Sequence, residues 1–167
     1  MFGKNLLLTR TYTITENSLQ IEDTLKNLDY KDTEYVLLYH INYGYPFLDE
    51  CLKLDIPASK SDPLTAVAEK NKADMFRITQ PIDGGDEHVY YHTLTQGKVR
   101  LENPDKNITI EMLYDTEDFP VTLEWKSMIS GDYALGIEPS LTRFDQFKMR
   151  VLSAQASKTY KIKINFQ

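Results

Sequence analysis

His88-Val-Tyr-Tyr-His-Thr-Leu94 is followed by Thr95-Gln96-Gly97, by Lys98-Val-Arg-Leu-Glu-Asn103 with Pro104-Asp105 behind it, and by Ile108-Thr-Ile-Glu-Met-Leu-Tyr114. Three short runs rich in β-branched and aromatic residues, each closed by Gly, Pro, Asn or Asp, read as antiparallel strands joined by tight turns. The pattern continues through residues 121–125, 133–138, 146–152 and 160–166, with turns predicted at Asp118-Phe119-Pro120 and Ser130-Gly131-Asp132. Towards the N-terminus, Leu6 to Ile14 alternates around Thr9, Thr11 and Thr13. After Glu16-Asn17-Ser18, the residues Leu19, Ile21, Thr24 and Leu25 form the second arm of a β-hairpin. Short strands at regular spacing predict one all-β unit over residues 1–167, an antiparallel β-sandwich.

Between these regions lies Tyr35-Val-Leu-Leu-Tyr-His-Ile-Asn42, apolar on both faces and therefore expected to be a central strand covered on both sides. Period-two alternation puts Val36, Leu38, His40 and Asn42 on one face and Tyr35, Leu37, Tyr39 and Ile41 on the other. Gly44 and Pro46 end this strand, and residues 51–56 make a short one after it. Residues 57–74 read as a long surface loop. It contains a short helix, Ala66-Val-Ala-Glu-Lys-Asn-Lys, started by Ser61-Asp62-Pro63. Pro81 and Gly84-Gly85 mark a second loop.

Composition narrows the function. Leu, Ile, Val and Phe supply 44 of the 167 residues, enough to bury a core. The 19 basic and 25 acidic residues give a net charge of −6, which repels phosphate backbones, and no cluster of Lys and Arg interrupts it. No nucleic-acid partner is expected. The apolar stretches are far shorter than the ~20 residues needed to cross a bilayer, and Met1 to Asn5 lacks an export pattern, so a soluble cytoplasmic protein is expected. Cys51 stands alone and can form neither an internal disulfide nor a thiolate metal site. His40, His88 and His92 lack metal-ligand spacing, Gly84-Gly85 lacks the lysine and helix of a phosphate loop, and Gly-x-Ser-x-Gly is absent. Neither a metal nor a cofactor is predicted.

Two segments carry the candidate chemistry. His40 and Asn42 lie side by side at the end of an apolar row. In Ala134-Leu-Gly-Ile-Glu138-Pro139, the residues Ala134, Gly136 and Glu138 share a face, while Tyr133, Leu135 and Ile137 point into the core. Missing side-chain bulk beside a carboxylate leaves room for a ligand to approach the sheet, and Pro139 places Glu138 near a strand end. By residue type alone, His40 is either a satisfied structural histidine or a functional one. Glu138 is either solvated or functional.

Tyr39-His40-Ile-Asn42-Tyr-Gly44-Tyr-Pro46-Phe-Leu-Asp49-Glu50 resembles the central motif of a bacterial branch of the aldose 1-epimerase (galactose mutarotase-like) superfamily. Trp125-Lys126, followed by Gly131-Asp132-Tyr133-Ala-Leu-Gly-Ile-Glu138-Pro139, resembles that branch's second motif, in the same order and at a fitting separation. The resemblance implies a large antiparallel sandwich whose concave sheet binds a sugar, with this chain corresponding to the C-terminal half. It also implies a histidine general acid, matched by His40, and a glutamate general base, matched by Glu138. Asn42 and Asp49 become candidates for binding sugar hydroxyls. Trp125 is either a stacking platform or a core indole beside Val121 and Leu123. His88, which shares a face with Tyr90 and His92, is a further candidate for lining the groove. The partner implied is a small-molecule sugar. A half-sandwich exposes apolar edges, so self-association as a homodimer or a missing N-terminal half is expected to cover them. A silent sugar-binding domain, or a fragment needing a second polypeptide, is the alternative to an active epimerase.

Overall fold

A computed structural model describes residues 4–167. Its strands, in chain order, are β1 (Leu6–Ile14), β2 (Ser18–Asn27), β3 (Thr33–Tyr35), β4 (Ile41–Gly44), β5 (Lys53–Asp55), β6 (Ala58–Pro63), β7 (His88–Leu94), β8 (Lys98–Asn103), β9 (Ile108–Tyr114), β10 (Val121–Ile129), β11 (Asp132–Ser140), β12 (Arg150–Leu152) and β13 (Ser157–Phe166). A short helix α1 (Ala66–Lys70) and a 3-10 turn (Lys72–Asp74) lie between β6 and β7. Among the described residues, no helix is long and apolar enough to cross a membrane.

Six strands form one sheet in the order β1-β2-β13-β9-β8-β5, and five form a second in the order β4-β11-β10-β7-β6. Every strand pair in them is antiparallel. The short β12 and β3 pair separately. Alternation drives the packing. From the larger sheet Ile21, Leu25, Leu101, Ile110, Met112, Tyr160, Ile162 and Ile164 turn inward, and from the smaller one Tyr43, Met128, Leu135 and Ile137 do so. Phe119, on the β9–β10 connection, plugs the interior with its ring edge-on to Tyr39 at 5.4 Å and to Tyr114 at 6.0 Å. The result is the mostly antiparallel β-sandwich that the turn spacing predicts.

The predicted central strand is different in the structure. Residues 35–42 are divided among the end of β3, an isolated bridge from Leu38 to Ser140, and the start of β4. β4 lies at the edge of its sheet, paired on one side only. The segment must serve two pairings, β3 with β12 and β4 with β11, and bends between them. Its apolar residues on both faces reflect that bend rather than a central position.

Three smaller expectations also change. Residues 58–63 are a strand, β6, whose polar composition hides it; as an edge strand with a bulge between Ala58 and Lys60, it needs few apolar residues. The strand predicted over 146–152 shrinks to β12. Helix α1 forms as predicted, but its cap is Thr65, whose hydroxyl accepts from the Ala68 amide at 3.3 Å.

β1 overhangs the sandwich. Its register puts Leu8, Arg10, Tyr12 and Ile14 opposite Leu25, Asp23, Ile21 and Leu19, so both strands present these residues to the same face. On β2 that face is buried, whereas on β1 it is open, with Ile14 76% exposed.

Candidate functional site

The pairing of β4 with β11 builds the site. In this register Asn42 lies opposite Gly136, and β10 adds Trp125 to the same row. Cross-strand partners point to one face of a sheet, so Asn42, Gly136 and Trp125 share one surface. Two residues further along the same register, His40 comes opposite Glu138, framed by the Leu38–Ser140 bridge. Two segments nearly a hundred residues apart thus place an imidazole and a carboxylate next to each other.

His40 Nε2 lies 3.0 Å from Glu138 Oε1. His40 Nδ1–H donates to Asn42 Oδ1 at 2.9 Å, which orients the ring with Nε2 towards the carboxylate. The Trp125 ring stands edge-on to His40, with centroids 5.7 Å apart. Exposure is asymmetric: the His40 side chain is 51% exposed and that of Glu138 only 6%. Burial pushes the Glu138 carboxyl above the ordinary carboxylate range, and the nearby His40 charge only partly opposes this. Oε1 is buried, and no donor is aligned on it as a hydrogen bond, the His40 ring included. It is a buried acceptor with unused hydrogen-bonding capacity.

Gly136 is the floor of the site. A Cβ there would lie 2.8 Å from Glu138 Oε1, 3.1 Å from Asn42 Oδ1 and 3.3 Å from the Trp125 ring. The space beside the carboxylate exists because this residue has no side chain. Leu135 and Ile137, its neighbours in sequence, are fully buried on the opposite face and anchor the strand.

Two of the candidate residues lie elsewhere. Asp49 is committed to the loop after β4. It accepts from Asn103 Nδ2 at 2.8 Å, from Lys106 Nζ at 2.7 Å and from the Cys51 amide at 3.0 Å. The Lys106 ammonium holds its carboxyl below the usual range. His88 pairs with Lys126 and therefore faces the other side of the sheet from Trp125. There it lines a cavity of about 310 Å³ with Asn71, Arg77, Asp86 and Lys126. Burial, together with the charge of Lys126, lowers its pKa. The structure thus brings together His40, Asn42, Trp125 and Glu138, and separates Asp49 and His88 from them.

Sequence reasoning missed a buried polar cluster on that other face. His92 Nε2 meets Glu124 Oε2 at 3.0 Å, and its Nδ1 meets Ser61 Oγ at 2.8 Å. Lys126 Nζ lies 3.3 Å from Glu124 Oε1 and donates to the carbonyls of Asp74, Met75 and Arg77, tying the covering segment onto the sheet. Glu124 and Lys126 stand in the inward row between Thr122 and Met128, and a charged pair in such a row was the available signal.

The family model described as "Domain of unknown function (DUF4432)" matches residues 1–165. No curated protein matches the chain. Several solved structures share its fold. A proposed aldose 1-epimerase from Klebsiella pneumoniae superposes with a TM-score of 0.82 at 20% identity over 95% of this chain and 49% of its own. The Slr1438 protein of Synechocystis gives 0.73 at 19% identity over 98% and 55%. A galactose mutarotase related enzyme from Lactobacillus acidophilus gives 0.71 at 17% identity over 98% and 62%. The fold is that of the galactose mutarotase-like proteins, and the chain spans 49% to 62% of the length of these three.

Proposed function

The chain belongs to the DUF4432 family and has a mutarotase-like fold, and from that premise we propose that it is an aldose 1-epimerase-like, sugar-binding protein. In this reading His40 and Glu138 interconvert sugar anomers by general acid–base ring opening. One observation carries the reading. An imidazole nitrogen and a buried carboxylate oxygen without an aligned donor face each other at 3.0 Å, over a floor kept open by glycine.

The chemistry follows from these groups. Glu138 Oε1 takes the proton of the anomeric hydroxyl. The freed electron pair forms the C1 carbonyl as the C1–O5 bond breaks, and the proton on His40 Nε2 goes to O5. Rotation about C1–C2 presents the other carbonyl face. On reclosure O5 returns its proton to His40 and attacks C1, while Glu138 protonates O1. The catalyst is then reset, because the proton Glu138 takes from O1 and the proton His40 gives to O5 are both returned as the C1–O5 bond re-forms. A carboxyl raised towards neutrality by burial is the stronger base for this work. The pair stands too close in the free protein for a pyranose to fit between. Half-exposed His40 is the partner that swings outward, and Glu138 stays fixed in the sheet. Asn42 orients the imidazole, and the Trp125 ring offers an apolar edge to the sugar's C–H face.

Polarimetry on freshly dissolved glucose and galactose tests the proposal. Decay of rotation above the buffer rate, lost in His40→Ala, supports it. A rate equal to buffer across the aldoses counts against it. A silent sugar-binding domain is the second reading, favoured by the 3.0 Å approach of His40 to Glu138, which leaves no room for a pyranose between them. It predicts sugar-induced NMR shifts at Asn42 and Trp125 without faster anomer exchange. The open row Leu8, Tyr12 and Ile14 supports a further contact, with a second copy of the chain or with a separate half like the one the longer structures contain. Light scattering on the isolated chain separates these: a dimer that Ile14→Lys disperses favours the second copy.

A further inference from the structure

His40 is not held by what covers it, since half of its side chain faces solvent. Nor does regular pairing fix it, because it lies between the Leu38 bridge and the first residue of β4. Tyr39, one residue earlier, is the nearest fixed point. Its amide donates to the Pro139 carbonyl at 3.0 Å, beside Glu138 in sequence, and its side chain points the opposite way, into the sandwich. There Tyr39 Oη donates to Asp23 Oδ2 at 2.6 Å. Asp23 is fully buried on β2, the second strand of the other sheet. The Arg10 guanidinium grips the same carboxylate in a two-pronged contact, Nε to Oδ1 at 2.7 Å and Nη2 to Oδ2 at 2.6 Å, and sits 5.5 Å from the Tyr39 ring. The Phe119 ring edge closes the other side at 5.4 Å.

The residue that precedes the proposed acid is thus pegged through the core to an ion pair on the opposite sheet. Asp23 also breaks the inward row Leu19, Ile21, Leu25 of β2, a place where a leucine would fill the space without an ion pair to satisfy. Bidentate carboxylate–guanidinium contacts add directional precision beyond their energy, because both hydrogen bonds must keep their angles at once.

We propose that Asp23, gripped by Arg10 and joined to Tyr39, is a positioning residue that fixes the backbone from which the His40 side chain turns to face a sugar lying against Glu138. This inference rests on the acid–base reading of that pair. Its consequence differs from that of a merely structural contact. Sugar would bind through Asn42 and Trp125, which stand on regularly paired strands, while the misplaced imidazole would slow the chemical step. A displacement of about 1 Å at a reacting group costs on the order of 100-fold in rate.

Tyr39→Phe keeps the ring and removes only the hydroxyl. The expected result is a kcat lower by roughly 10- to 100-fold with KM unchanged, at a temperature where circular dichroism shows the variant folded. Asp23→Asn retains an acceptor for the Tyr39 hydroxyl and should recover part of kcat, whereas Asp23→Leu should not. A readout independent of turnover is the pH titration of the Glu138 carboxyl carbon by NMR. Since the His40 charge lowers that pKa, drawing the imidazole away in Tyr39→Phe should raise it further. A folded Tyr39→Phe with wild-type kcat and an unmoved Glu138 titration overturns the positioning role. If the wild-type protein does not speed anomer exchange, the acid–base reading fails by itself, and the titration alone decides whether Tyr39 and Asp23 hold His40 in place.

Discussion

Substituting Gly136 by alanine separates the site from the fold. Glycine inside a strand ordinarily costs about 0.5–1 kcal/mol relative to alanine through backbone entropy. The gain from alanine is opposed by a Cβ that would stand 2.8 Å from Glu138 Oε1. Reaching ordinary contact at 3.4 Å requires the carboxylate to retreat by about 0.6 Å, and Asn42 Oδ1, at 3.1 Å, must give by a few tenths. Both are side-chain ends and can shift, and the Trp125 ring, at 3.3 Å, needs to give by only about 0.1 Å, so the strand survives. We expect thermal unfolding within about 1 kcal/mol of wild type, because the two terms nearly offset. Catalysis has no such compensation. Moving the base by over half an ångström and filling the floor should lower the anomer exchange rate by on the order of 100-fold, or about 2.7 kcal/mol of barrier. Paired measurements of unfolding and of polarimetric rate suffice. An alanine variant that keeps full activity would refute the idea that the open floor admits the sugar. One that unfolds outright would show Gly136 to be a folding residue first.

Three other outcomes follow from the same geometry. Glu138 has its carboxyl pKa raised by burial, so the native state binds its proton more tightly than the unfolded chain does. Its stability contribution is complete below the unfolded carboxyl pKa and is lost as pH rises through the raised one. Glu138→Gln should therefore raise the melting temperature at pH 7 and have less effect at pH 4, read by calorimetry. Lys126→Met should destabilise by about 3 kcal/mol, because it removes the ammonium partner of the fully buried Glu124. Hydrogen exchange should then speed up around Asp74, Met75 and Arg77, whose carbonyls Lys126 holds, and adding Glu124→Gln should restore part of the loss. Asp23 has its carboxyl below the ordinary range: burial pushes it up, but the Arg10 and Tyr39 hydrogen bonds outweigh that. The stability it contributes is present above the unfolded carboxyl pKa and lost as pH falls through the lower folded one. Asp23→Leu should flatten acid unfolding in that window.

Much of the fold was legible because its signals are local. Asn103-Pro104-Asp105 and Ser130-Gly131 close hairpins whose strands follow one another and pair, so turn chemistry alone predicts the β8–β9 and β10–β11 connections. Thr95-Gln96-Gly97, by contrast, carries the chain from β7 across to β8 in the other sheet. At that crossover Gly97 is required, since a Cβ would fall 1.7 Å from the Tyr114 carbonyl oxygen. Face assignment was legible too: Leu135 and Ile137 point into the core, Gly136 and Glu138 away from it. The partner of β4 was not, because nothing local to residues 41–44 specifies residues 134–137 as its neighbour. Only a resemblance could link His40 to Glu138 before the register was known. The same limit misplaced His88 and Asp49. An odd or even position on β7 says nothing about which face carries the site until β7 is registered on β10. Asp49 reads as a free carboxylate until Lys106 and Asn103 come within reach. Strand β6 escaped notice because an edge strand with no buried residue needs little apolar alternation.

The most direct test of the central claim is exchange NMR on galactose at anomeric equilibrium, with wild-type protein and with Glu138→Gln at equal concentration. Cross-peaks between the two anomeric protons should build up faster than in buffer for the wild type and at the buffer rate for the variant. Cross-peaks that grow equally in both would mean that the carboxylate facing His40 takes no proton from the sugar.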